Sequence, residues 1–376
     1  MNTEKRTILL THNSENTIHT GGTKKAGSRL EFNSIQCLRF VAALMVVLLH
    51  ATFYAEERLD STVSKYEPGA HGVPLFFVIS GFVMILSSQN LIDDKNGWKK
   101  FAVKRIVRIV PIYWIIATIK LLVMLTTSKL VLHSQFDLGY VLKSYFFIPA
   151  FNPASGLVEP LLGVGWTLNF EMFFYLIFTL SLFFKFNRMW FIGTVLLSLS
   201  VISLFKKSTW PAVGFYADPI VMDFFWGMIA GLFIMKGKFI SGNTAIFLIL
   251  LGLSILFLPV MYYLGSYNSV HIWGIASFLV VYGCASIESS KSINYNSIVL
   301  FFGTASYSLY LIHPIIAPLA PSLFKHFGLI WPVFSILLSM ALALAAGAVC
   351  YYALERPISK KLNTKMRQLE FFQKKP

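Results

Sequence analysis

Charge is what this sequence has least of. Charged residues make up 13% of its 376 positions, about half the usual share. A disordered chain is excluded, because disorder needs low hydrophobicity. Cysteine is nearly absent: Cys37, Cys284 and Cys350 stand alone, with no CxxC. No disulfide framework can be built from them, and each reads as a small buried apolar side chain. There is no GxSxG, P-loop, GxGxxG or HExxH, which argues against a covalent serine enzyme or a nucleotide motor. No repeat of 20–50 residues is visible. The one apolar run in residues 1–33, Ile8-Leu9-Leu10, is too short for a signal-peptide core.

What is present is apolar. Hydrophobic residues make up 56%, including 35 Phe, 16 Tyr and 8 Trp, and the mean hydropathy is +0.66. A soluble core of this size cannot hide that much apolar surface. The reading is an all-α polytopic membrane protein, since strand-like alternation is missing and backbone groups in lipid must be satisfied internally. Ten segments approach the roughly 17–25 apolar residues that a spanning helix needs: about 35–54, 72–90, 106–127, 165–184, 189–205, 219–235, 244–264, 269–287, 297–316 and 330–353. With both termini in the cytoplasm, 23 of the 32 Lys and Arg fall on the inner side and 7 on the outer, as the positive-inside rule requires. An odd number of spans would spoil that split. The same distribution accounts for the net charge of +15 without a nucleic-acid partner, because no soluble module presents a basic face.

The domain organisation follows: a disordered basic cytoplasmic tail at 1–33, a ten-helix membrane domain at 34–358 and a basic cytoplasmic tail at 359–376. Glu355-Arg356-Pro357 reads as a helix stop with an ion pair. The longest outer loop, about 128–164, is partly irregular, with a short interfacial helix expected between Phe136 and Ile148. It holds His133-x-x-x-Asp137, a spacing seen in some acyltransferases that arises easily by chance.

Ionisable residues inside spans cost roughly 2.5–3.5 kcal/mol at mid-membrane and are functional candidates by default. In the first span Arg39 and His50 are eleven residues apart, so they share a face and lie roughly 16 Å apart along the axis. Arg105 and Arg108 are neighbours at the inner start of span three, and arginine forks suit phosphate oxygens. Plain topological anchoring would also explain them. The fourth span opens with Trp166, an outer-interface anchor, and carries Glu171 at a depth similar to that of His50, where it could orient a histidine base or pair with a structural partner. His71, Asp218, Asp223, Tyr310 and His313 lie towards the same outer side. Buried arginines are thus cytoplasmic and candidate acids and bases outer. That polarity suits a polyanionic donor from inside and an acceptor from outside, and equally a proton-coupled transporter.

These residues resemble the acyltransferase 3 family of bacterial inner-membrane proteins. Arg39, ten residues and then His50 resemble its opening helix, and Gly72-Val-Pro-Leu-Phe-Phe-Val-Ile-Ser80-Gly81-Phe82 its second. Arg105-x-x-Arg108, Trp166 with Glu171, and Ser308-Leu-Tyr310-Leu-Ile-His313-Pro314 resemble later landmarks in the same order. Gln36 departs from the family, many members having Asp there. The segment Gly165–Glu171 looks most like the exopolysaccharide-production branch.

The resemblance implies transfer of an acyl group, usually acetyl from cytoplasmic acetyl-CoA, to a hydroxyl of a cell-surface glycan or its lipid-linked precursor. The setting would be the bacterial inner membrane, in contact with polysaccharide-synthesis machinery. Under it Arg105 and Arg108 would hold the phosphates, Arg39 would line the donor channel, His50 would be the general base and Glu171 its orienting acid. No metal is called for, a thioester being already activated. The rivals are a transporter or glycan flippase using the same charges, a non-catalytic partner of a polysaccharide synthase, and transfer of succinyl or a longer acyl group. One passage joining Arg105 to His50 is expected.

Overall fold

A computed structural model describes residues 32–126, 135–257 and 266–369. Nearly all of the expected N-terminal tail, His133 and the last seven residues fall outside them. Among the described residues there are helices and no strand, only one isolated bridge between Phe151 and Val158. Among the described residues eight helical stretches are long and apolar enough to cross a membrane, and the shorter Pro219–Met235 and Gly242–Phe257 occupy the sixth and seventh places. The molecule is an all-α polytopic membrane protein.

The first helix, α1 (Asn33–Arg58), has no side-chain cap of its own. Its first two amides, on Asn33 and Ser34, donate instead to the two carboxylate oxygens of Glu288, each at 2.8 Å. A carboxylate at a helix N-terminus satisfies orphan N–H groups and opposes the positive end of the dipole. Glu288 lies near the end of α9 (Ser266–Ser290), so this contact ties two helix ends distant in sequence.

Helix α2 (Gly72–Ser87) crosses α7 (Met222–Met235) at very short range. A methyl on Gly81 would sit 1.9 Å from the Phe224 carbonyl oxygen, and one on Gly227 would sit 1.9 Å from that of Val78. Small residues let backbones meet where lipid offers no hydrophobic drive for association. Helix α3 (Gly97–Thr126) starts nine residues before the expected span, which puts Arg105 and Arg108 inside the helix. Helix α4 (Leu138–Tyr145) is the short helix expected in the outer loop. Asp137 caps it by accepting from the Tyr140 amide at 2.6 Å, and that capping is the structural role of the aspartate in the HxxxD spacing.

Helices α5 (Trp166–Phe183) and α6 (Arg188–Ile202) follow, then α7, α8 (Gly242–Phe257) and α9. The expected ninth span is divided into α10 (Ser297–Thr304) and α11 (Ser306–Ile316), with a break at Ala305. Beside that break Gly303 meets the Gln36 backbone, where a Cβ would lie 2.1 Å from the carbonyl oxygen. After α12 (Leu319–His326), α13 (Pro332–Cys350) completes the membrane part.

The expected stop at Glu355-Arg356-Pro357 is not one. A π-helical turn over Tyr351–Glu355 leads into α14 (Arg356–Arg367), which occupies much of the expected 359–376 tail. Pro357 sits in the first turn of α14, where its missing N–H costs least, and the wider π turn absorbs the irregularity. The expected ion pair does not form either. Glu355 accepts a hydrogen bond from Ser308 Oγ at 2.5 Å, and Arg356 lies over the Tyr352 ring at 5.8 Å.

Candidate functional site

Two cavities open among α1, α2, α3, α5 and α11. The inner one has a volume of about 150 Å³ and is lined by Arg39, Arg108, Glu171, Tyr175, Tyr307 and Tyr310, with Gln36, Ser80 and Thr167. Arg39 Nη1 donates to Gln36 Oε1 at 3.1 Å. An aspartate at position 36 would neutralise that guanidinium; the amide orients it and leaves its charge for a ligand. Glu171 accepts from Ser80 Oγ at 3.2 Å and, at shorter range, from the Tyr175 hydroxyl one helical turn on. Two guanidinium groups face one carboxylate here, so the cavity favours anions. Ser306, at the α10–α11 break, also lines it, and its Oγ has no hydrogen-bond partner among the described residues.

The outer cavity has a volume of about 560 Å³ and is lined by His50, Tyr54, Arg58, Lys120, Asn152, Glu159 and Trp166, among others. His50 Nδ1 lies 2.9 Å from the Val46 carbonyl oxygen. A bare ring nitrogen would be repelled there, so Nδ1 carries the proton. The other ring nitrogen, Nε2, then holds a lone pair. His313 is fully buried; its Nδ1 is 3.3 Å from the Leu309 carbonyl oxygen and its Nε2 3.3 Å from His50 Nδ1. The two rings meet edge-on with centroids 4.9 Å apart. By the same reasoning His313 Nδ1 bears hydrogen, and its Nε2 accepts from His50.

One short segment divides the cavities. Val164 and Trp166 face the outer one, Thr167 and Leu168 the inner. Thr167 Oγ1 donates to the Val164 carbonyl oxygen at 2.9 Å, and the Tyr310 hydroxyl donates to the same oxygen at 3.1 Å. The two hydroxyls are 2.9 Å apart. This wall replaces the single passage expected from the sequence.

Several expected sites sit differently. Glu171 does not meet His50: it belongs to the inner cavity, and the imidazole beside His50 is His313. Similar depth on two helices was not enough, because their facing sides differ. Arg105 lines neither cavity. It is only 8% exposed, donates to Ser87 Oγ at 3.0 Å and lies between the Phe101 and Tyr175 rings at 5.3 and 5.8 Å. Arg39 and Arg108 therefore remain as cavity-lining arginines. Trp166 is half-buried on the outer cavity. His71 and Asp223 face neither space. The His71 ring lies tilted against Trp273, with centroids 4.2 Å apart and Nδ1 against the Leu256 carbonyl, and Asp223 is pressed on Gly274.

Ser80, Tyr175, Thr167, Tyr307, Tyr54 and Glu159 also line the cavities, without standing out in the sequence as site residues. Tyr175 could have been found, being four residues after Glu171. Lys120 was visible as an ionisable residue in a span, yet nothing in the sequence shows what it faces.

The model of one family, described as an acyltransferase domain, matches residues 32–352. The chain belongs to the acyltransferase 3 family. This acyltransferase is 32% identical over 319 residues to "Exopolysaccharide production protein ExoZ" of Rhizobium meliloti (strain 1021), an alignment covering 82% of this chain and 94% of the relative. It is also 28% identical over 279 residues to "Putative acetyltransferase ORF330" of Acidianus two-tailed virus, covering 67% and 74%. No solved structure matches it. It is an integral membrane acyltransferase.

Proposed function

We propose that this acyltransferase moves an acyl group, acetyl in the simplest case, from cytoplasmic acyl-CoA to a hydroxyl of an exopolysaccharide or its lipid-linked precursor, in a bacterial inner membrane. The observation that carries this reading is the pair of cavities on two sides of one thin wall, with Arg39 and Arg108 on one side and His50 on the other. The exopolysaccharide acceptor rests on the name of the Rhizobium relative, and acetyl on that of the viral one.

The donor is a substrate with a polyanionic nucleotide end and a thioester at the other. Arg39 and Arg108 offer forked N–H donors for its phosphates. Glu171, held by Ser80 and Tyr175, keeps to the donor side and fixes that wall of the cavity. Arg105 supports the same region by packing and does not touch the donor.

On the outer side His50 Nε2 has the lone pair that a general base requires. It removes the proton from an acceptor hydroxyl as that oxygen attacks the thioester carbonyl carbon. The C–S bond then breaks, and the proton on Nε2 passes to the departing thiolate. An ester and a free thiol are the products. Val46 and His313 receive the Nδ1–H and keep the ring aimed.

The test is the ester content of the exopolysaccharide from cells with and without this protein, by mass spectrometry, with a His50→Ala arm. The expected result is loss of one ester type in both defective strains. Unchanged ester content in the strain lacking the protein overturns the function; full content with His50→Ala overturns the base.

A further inference from the structure

We propose that the Thr167 and Tyr310 hydroxyls form the oxyanion-binding site of the transfer reaction, so that the wall between the cavities is itself where the acyl group changes hands. The inference deepens the acyl-transfer reading and rests on it.

A thioester held from the inner cavity and a hydroxyl activated by His50 can meet only at the dividing segment. The two hydroxyls there already converge on one carbonyl oxygen, that of Val164, at 2.9 and 3.1 Å. Those distances suit donors to a developing oxyanion. Val164 O thus occupies the place that the substrate's carbonyl oxygen takes when the wall opens. Thr167 and Tyr310 are each only 6% exposed, and hydrogen bonds are stronger in such a low-dielectric setting. The N-terminus of α5 begins one residue before Thr167, and its dipole adds to the attraction for negative charge. His313, three residues beyond Tyr310 on the same helix, touches His50, so base and hydroxyl donors flank one point.

The electron bookkeeping closes without a further reactant. Attack by the acceptor oxygen forms a C–O bond and pushes the carbonyl π pair onto oxygen, where Thr167 and Tyr310 donate to it. The pair returns as the C–S bond breaks, and the thiolate leaves with the proton from His50.

The alternative role is a structural tie between α11 and the start of α5. Membranes carrying the protein and its native glycan acceptor, supplied with radiolabelled acetyl-CoA, separate the two. Ester formation is followed for wild type, Thr167→Val, Thr167→Ser and Tyr310→Phe, with the thermal midpoint of each purified protein. The expected result is a loss of kcat of about 10²-fold or more for Thr167→Val, a smaller loss for Tyr310→Phe, recovery in Thr167→Ser, and donor KM within twofold throughout. The proposal is overturned if Thr167→Val and Tyr310→Phe keep wild-type kcat, or if their loss tracks a lowered midpoint that Thr167→Ser fails to restore. If wild type forms no ester from acetyl-CoA, nor from succinyl-CoA supplied in its place, the acyl-transfer reading itself falls.

Discussion

Polar groups are buried both where α2 crosses α7 and where α1 meets α11, yet His71 and Asp223 near the first line neither cavity, whereas His50 at the second lines one. On the α2–α7 side glycines bring backbones into contact, and His71 and Asp223 are sealed among Trp273, Gly274 and the Leu256 carbonyl. Around α1, α3, α5 and α11 the bundle is propped open by Tyr, Trp and Arg, and polar residues look into cavities. Insertion cost alone marks both groups as functional candidates. The difference teaches that polarity in the membrane does not by itself place a residue on a cavity; packing decides which buried polar groups face accessible volume.

The largest effect that would sharpen the contrast is on assembly. Gly227→Val places a branched side chain where a methyl already meets the Val78 backbone at 1.9 Å, and backbone cannot step aside cheaply. The monodisperse peak in detergent chromatography should vanish. Gly163→Ala, in the outer cavity with its nearest neighbour the Glu159 carboxylate at 3.7 Å, should leave the peak unchanged.

Next comes chemistry. His50→Ala should lower the transfer rate by about 10²–10⁴-fold at normal yield, whereas His71→Ala should lower the thermal midpoint and leave kcat per folded molecule intact. A fall in kcat with His71→Ala at full stability would break the comparison.

The arginines give an intermediate effect. Arg108→Ala and Arg39→Ala should raise donor KM by roughly tenfold or more, each removing a charge-assisted contact. Arg105→Ala should reduce stability through lost packing with donor KM nearly unchanged. Equal KM increases for all three would return Arg105 to the donor site.

The smallest effect lies outside the membrane, in the α2–α3 connection. The Lys100 ammonium beside Asp94 holds that carboxyl below its ordinary value. A depressed folded-state value contributes stability above the unfolded one and loses it as pH falls through the folded one. Asp94→Asn should cost about 1 kcal/mol or less at neutral pH, because the pair is half-buried and still reached by solvent, and the difference in thermal midpoint from wild type should shrink on acidification.

Much of the site was legible because membrane insertion makes polar residues conspicuous. Arg39, Arg108, Glu171, His50, His313, Tyr310 and Trp166 all stand out against apolar runs, and all line a cavity or touch a residue that does. Pairing was not legible. Helical arithmetic gives depth along an axis but not the rotation of one helix against another, so His50 was matched with Glu171 when its neighbour is His313. The inward turn of Arg105 depends on Ser87, Phe101 and Tyr175, which come from three different helices. Thr167 looks ordinary in sequence, and only the approach of Tyr310 from α11 gives its hydroxyl meaning.

By itself the sequence determined a membrane-embedded helical bundle and its approximate spans, because hydrophobic length acts segment by segment. The tertiary structure alone decided that there are two cavities with a hydroxyl-bearing wall between them, and which buried polar groups face them. Those outcomes depend on how closely distant helices pack, and a glycine contact or a break at Ala305 sets that distance only once both partners are in place.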